Sequence, residues 1–131
     1  MPSTLNIRDE NIAGQPLRDW ALEVLTERIT VRELIRSRVY QEVQDYNQKQ
    51  GPVFQGLIEP EEAERALNGW KLKKPRLLDW QKQFQRATEA FEALQVLILV
   101  GDKQAESLDE EVVITPGMTV TFVRLTPLAG G

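Results

Sequence analysis

Ile29-Thr30-Val31-Arg32-Glu33-Leu34-Ile35 carries the change from strand to helix on which the rest of the chain is arranged. Thr30 with Glu33 three residues later has capping-box spacing: the hydroxyl accepts from the helix backbone and the carboxylate reaches back, so two otherwise unmet donors are satisfied. Downstream, Leu34, Ile35, Val39, Val43 and Tyr46 share a face through about Lys49, while Arg32, Arg36, Glu42 and Gln44 fall largely on others. This predicts an amphipathic helix over 31–49 laid on a sheet. Upstream, Thr4-Leu5-Asn6-Ile7-Arg8 alternates polar and apolar, Gly14 and Pro16 punctuate, and Trp20, Leu22 and Val24 alternate again. A β-hairpin therefore precedes the helix, its second strand running to Thr30.

Gln50-Gly51-Pro52 ends the helix. Pro60 then opens a short helix over Glu61 to Leu67, with Asn68-Gly69 as its stop. Lys71-Leu72-Lys73-Lys74-Pro75-Arg76 reads as a basic loop, either a solvated connection or a contact for an acidic partner. Asp79 is placed to cap a helix carrying Trp80, Phe84, Ala87, Phe91 and Leu94 at helical spacing, a stripe assigned to the core. Val96 to Val100 reads as a central strand covered on both faces. Thr115-Pro116-Gly117-Met118 is a turn into the alternating strand Thr119 to Leu125, with Val120, Phe122 and Arg124 on one side and Phe122 in the core. The expected fold is α+β, one domain over 1–131. First and last strands pair at the sheet centre, a helical insert occupies about 50–94, and an extended tail covers 126–131.

The 131 residues include no Cys and no His, so thiolate, imidazole and the usual zinc or iron ligands are absent and most catalytic schemes are closed off. Absence of cysteine suits a reducing cytosol. Met1 to Ala13 has no apolar signal-like core, and Val96 to Val100 is too short to span a bilayer, so the expectation is a cytoplasmic protein. A net charge of −4 argues against a phosphate backbone as partner.

This order, ending in an extended strand and a double glycine, resembles the ubiquitin-like β-grasp superfamily, which includes ubiquitin and the bacterial sulfur carriers. Residues 29–35 look like the entry into the β-grasp helix, and Pro116 to Phe122 like the turn and strand that lead to the tail. Leu97 to Gln104 and Glu106 to Glu110 are similar to a strand, turn and loop of ubiquitin. Pro127-Leu128-Ala129-Gly130-Gly131 is similar to the ending of the sulfur carriers. The resemblance covers roughly 4–48 and 95–131 and departs over the insert. Within the superfamily the chain most resembles the bacterial ubiquitin-like modifiers. That implies an ATP-dependent activating enzyme, a conjugating enzyme and a deubiquitinase-like protease as partners, covalent protein targets, and no cofactor of the chain's own.

Two terminal glycines arise by chance in roughly one chain in 200 at ordinary glycine usage. Here they follow a strand, and the six residues from Thr126 reach roughly 20 Å when extended. Glycine backbone fits a narrow channel, where the Gly131 carboxylate would attack the α-phosphate of ATP, become an acyl adenylate, be captured by a partner's thiolate and pass to an amine. Gly130 and Gly131 are thus the activation site. Leu128, Pro127, Ala129 and, at the strand end, Arg124 are the candidate contacts for the activating enzyme. Three other readings stand beside the modifier. A sulfur carrier would form a thiocarboxylate on Gly131, and a non-covalent β-grasp module would not use its glycines. An enzyme built on Glu110-Glu111 or Glu61-Glu62 is the weakest, because adjacent side chains diverge on strand and helix alike.

Overall fold

Asn11 folds the first hairpin. Its side-chain carbonyl accepts from the Ala13 and Gln15 amides at 3.0 and 2.9 Å, and Gly14 takes φ +78°. The computed structural model describes residues 3–49, 51–66 and 69–125. Strand β1 (Ser3–Asn11) pairs antiparallel with β2 (Pro16–Val24), setting Leu5 opposite Leu22 and Ile7 opposite Trp20, with a register shift at Asp9/Glu10. Period-2 alternation then places Leu5, Ile7 and Asp9 on one face together with Leu22 and Val24, all buried.

Beyond β2 the chain leaves this sheet. A short strand, β3 (Arg28–Thr30), precedes α1 (Val31–Lys49), so the hairpin strand expected to run to Thr30 ends at Val24. Thr30 and Glu33 form the capping box: the Glu33 amide donates to Thr30 Oγ1 at 3.1 Å and Glu33 Oε1 accepts from the Thr30 amide at 3.4 Å. Leu34, Ile35, Val39 and Val43 are buried as expected. Glu42, expected off the core face, is buried too, together with Arg38.

After the insert come β6 (Val96–Val100), β7 (Lys103–Gln104), β8 (Glu111–Val113) and β9 (Thr119–Arg124). The Met118 amide donates to the Thr115 carbonyl, closing the expected turn. Strand β9 lies parallel to β1, with Ile7 opposite Val120, and antiparallel to β6, with Ile98 opposite Phe122. The five-stranded mixed sheet runs β2-β1-β9-β6-β7, and β3 pairs with β8 apart from it. Val120 and Phe122 are fully buried. Strand β6 has one covered face rather than two: Val96 and Ile98 are buried while Leu97 and Leu99 are half-exposed. Its continuous apolar run does not come from double burial.

The insert between α1 and β6 holds one helix and a hairpin. Residues Ala63–Ala66 (β4) and Gly69–Leu72 (β5) form an antiparallel pair where a helix over 61–67 was expected, and Lys71 and Leu72 belong to β5 instead of a loop. Phe54 decides this. Its amide and carbonyl both bond Trp70, at 2.7 and 2.9 Å, and its ring sits edge-on to Tyr46 with centroids 5.5 Å apart, so β5 has a partner on its other side. A helix over 61–67 would leave the other edge of β5 without the partner that β4 provides. Helix α2 (Trp80–Glu92) starts where Asp79 caps it, accepting from the Gln81 amide at 2.9 Å. Ala87 and Phe91 are buried, but Leu94 lies beyond the helix at φ +59° and is 65% exposed, so it leaves the expected stripe. Trp80 meets Tyr40 edge-on at 5.3 Å, and the Asn47 side chain brackets the Leu78 backbone through two bonds. These contacts fasten α2 to α1.

Candidate functional site

Strand β9 is the element that would present the tail. Its last residue, Arg124, lies opposite Val96 on β6 and Asn11 on β1, and the Leu125 amide donates to the Gln95 carbonyl at 2.8 Å. The tail therefore leaves from a strand held on both sides. Pro127, Leu128, Ala129, Gly130 and Gly131 lie outside the described residues.

Arg124 is described, and it does not simply project outward. Its terminal nitrogen donates to the Gly56 carbonyl at 3.0 Å and stands 3.8 Å from Asp9, leaving the side chain 23% exposed. It lines a groove of about 690 Å³ between the insert hairpin and α2, with Ile58, Ala63, Trp70 and Ala90 on the walls. Gln95 and Val96, beside the root of the tail, also line this groove. The insert and the tail root thus form one continuous surface.

Beneath Arg124 lies a cluster of charge inside the core. Arg38 of α1 is fully buried and donates to both carboxylate oxygens of Asp9, at 2.5 and 2.6 Å. It also reaches Glu42, one helical turn on, at 3.3 and 3.2 Å. The guanidinium stacks over Phe122 at 4.4 Å and near Trp20 at 5.5 Å. Arg18 of β2 completes the cluster, donating to the Gln55 carbonyl at 2.8 Å and lying 3.4 Å from Glu42.

One guanidinium shared by two carboxylates serves them unequally. Burial alone would lower the Arg38 pKa, but the charges and hydrogen bonds of Glu42 and Asp9 outweigh it, so Arg38 is held firmly charged. Asp9 takes the short bidentate contact and Glu42 the longer one. Burial therefore pushes the Glu42 carboxyl above the usual carboxylate range, Asp9 adding to the effect while Arg38 and Arg18 oppose it. Burial, with Arg38 and Arg65 as like charges, lowers the Arg124 pKa against the pull of Asp9 and Glu42.

None of Asp9, Arg18, Arg38, Glu42 or Arg65 was singled out from sequence as functional. A signal existed: Arg38 follows Leu34 by four residues and Glu42 follows Arg38 by four, on the stripe that carries Leu34 and Ile35. Asp9 likewise continues the alternation of Leu5 and Ile7. Of the carboxylates considered as catalytic pairs, Glu110 accepts from the Glu106 amide and Glu111 lies 3.6 Å from Arg28. Among the described residues no group of His, Cys, Asp and Glu is arranged to hold a metal ion, and no helix is long and apolar enough to cross a membrane. Compared with protein-family models, with curated proteins and with solved structures, the chain finds no match.

Proposed function

We propose that this chain is a ubiquitin-like protein modifier of the β-grasp type, activated at the Gly131 carboxylate and conjugated to other proteins. The observation that carries this reading is the parallel pairing of the first and last long strands at the centre of the sheet, with α1 packed across them. In that arrangement the end of β9 is anchored by β1, β6 and the Gln95 carbonyl, so residues 126–131 start from a fixed point. A fixed root aims a short tail into another protein's site and lowers the entropy lost on docking.

The chemistry belongs to the partners. An activating enzyme would bind ATP and the tail, join Gly131 to AMP with release of pyrophosphate, and transfer the acyl group to its own thiolate. A conjugating enzyme would deliver it to a target amine, and a deubiquitinase-like protease would reverse the bond. Gly131 serves equally as the native terminus or as an end exposed by processing. Arg124, Pro127, Leu128 and Ala129 are the proposed contacts, and the groove beside Gln95 gives the enzyme a second surface to read.

A second reading, a sulfur carrier with a Gly131 thiocarboxylate, is favoured by one feature, the Pro-Leu-Ala-Gly-Gly ending. The insert weighs against it, because a carrier has no need of so large an added surface. N-terminally tagged chain, intact or lacking Gly131, expressed in the native host and blotted under denaturing conditions tests the proposal. The intact chain yields a ladder of larger species that the shortened one lacks. Identical patterns from the two would refute conjugation through Gly131.

A further inference from the structure

At the inner end of the groove a smaller pocket of about 210 Å³ opens between β2 and the insert hairpin, lined by Arg18, Arg65, Arg124, Trp70, Gln55 and Asp9 among others. Arg65, Trp70 and Arg124 line the groove as well, so the two spaces meet. Asp9 is the one carboxylate on the lining, and both its oxygens are engaged by Arg38 from behind.

The balance of charge is unusual for this molecule. On the pocket lining Arg18, Arg65 and Arg124 stand with Asp9, three cations to one anion and a local charge of +2, in a chain whose net charge is −4. Donors are left over. Arg124 Nε is buried and meets no acceptor among the described residues, and Arg65, exposed on β4, forms no ion pair among them. Arg65 also raises the cost of keeping Arg124 charged. A bound anion would remove that repulsion and give Arg65 an acceptor. Guanidinium forks fit the paired oxygens of carboxylate and phosphate, and the indole of Trp70, tied to the Gly56 carbonyl at 3.2 Å, gives a firm wall.

We propose that this pocket is a binding site for a small oxyanion, with Arg65 and Arg124 as its main donors and Arg18 beside them. The shared chemistry is a planar or tetrahedral group of negatively charged oxygens, supplied by a phosphate or by the carboxyl terminus of a peptide. The pocket shares Arg124 and the adjoining groove with the surface proposed for the activating enzyme, but anion binding there does not require conjugation through Gly131.

The test is a titration of the full chain, labelled with nitrogen-15, by inorganic phosphate and separately by N-acetylglycylglycine at constant ionic strength. The readouts are the Trp70 indole and the Arg124 Nε–H signals. Saturable shifts at both are expected with at least one probe. Arg65→Gln, at an exposed position where folding is not at stake, should weaken binding about tenfold, the scale of one hydrogen bond to a charged group. Arg28→Gln removes an equal charge from an arginine that is 73% exposed and outside the pocket, and should bind as the parent does. Tighter phosphate assigns the site to a phosphate-bearing ligand, and tighter N-acetylglycylglycine to a peptide terminus. No saturable shift with either probe, or equal weakening by Arg28→Gln and Arg65→Gln, overturns the site.

Discussion

Asp9→Asn takes away the charge that faces Arg38 and leaves a guanidinium buried against Phe122 and Trp20 with only Glu42 to answer it. Stripping one partner from a buried pair costs about 3 kcal/mol or more, because the remaining charge keeps its desolvation cost. Urea unfolding of Asp9→Asn should show that loss, and combining it with Arg38→Met and Glu42→Leu, which leaves none of the three buried charges behind, should recover most of it. If the triple variant is as unstable as the single one, the unpaired charge is not the cause. Glu42 adds a pH dependence. Its raised pKa means that the native state holds a proton the unfolded chain has released, between the ordinary carboxylate value and the raised one. Stability from this group is complete below the ordinary value and is lost as pH rises through the raised value. Measured against Glu42→Gln, which does not titrate, the parent chain should lose stability as pH climbs across that window. Parallel pH curves for the two would contradict it.

At the scale of elements, the insert hairpin is the part whose geometry has least tolerance. A Cβ on Gly69 would stand 2.3 Å from the Phe54 carbonyl oxygen, a backbone atom already bonded to Trp70. Gly69→Ala should therefore cost about 2 kcal/mol through forced separation of β5 from Phe54. A denaturation midpoint equal to that of the parent would show that the bridge yields without cost. This hairpin was also where reading from sequence failed, and the reason is physical. Pro60 and Asn68-Gly69 punctuate a short helix and a β-turn equally well, and Phe54, which selects the strand, lies well upstream of its partner. Elements with local signals were legible: the Thr30/Glu33 box, the Asp79 cap and the Thr115–Met118 turn all stand where spacing put them. Glu42 and Leu94 were misplaced because a polar residue on an apolar stripe and a left-handed residue after a helix are decided by tertiary partners.

For the molecule as a whole, the pairing of β1 with β9 was foreseeable, since a chain with alternating segments at both ends and one capped amphipathic helix after the first hairpin has few other ways to bury them. The charged cluster joins those same parts: Asp9 on β1, Arg18 on β2, Arg38 and Glu42 on α1, and Arg124 on β9, the strand that precedes the tail. The site could not be read in the same way, because the buried arginine and the insert groove depend on contacts between segments far apart in the chain. The central claim concerns Gly131, and peptide mass spectrometry of the N-terminally tagged chain recovered from its native host under denaturing conditions tests it most directly. Gly131 joined through an amide bond to side chains of other proteins, and absent from a copy lacking Gly131, is the predicted result. A tail recovered only with a free carboxylate, or only as a thiocarboxylate with no protein adduct, would contradict it.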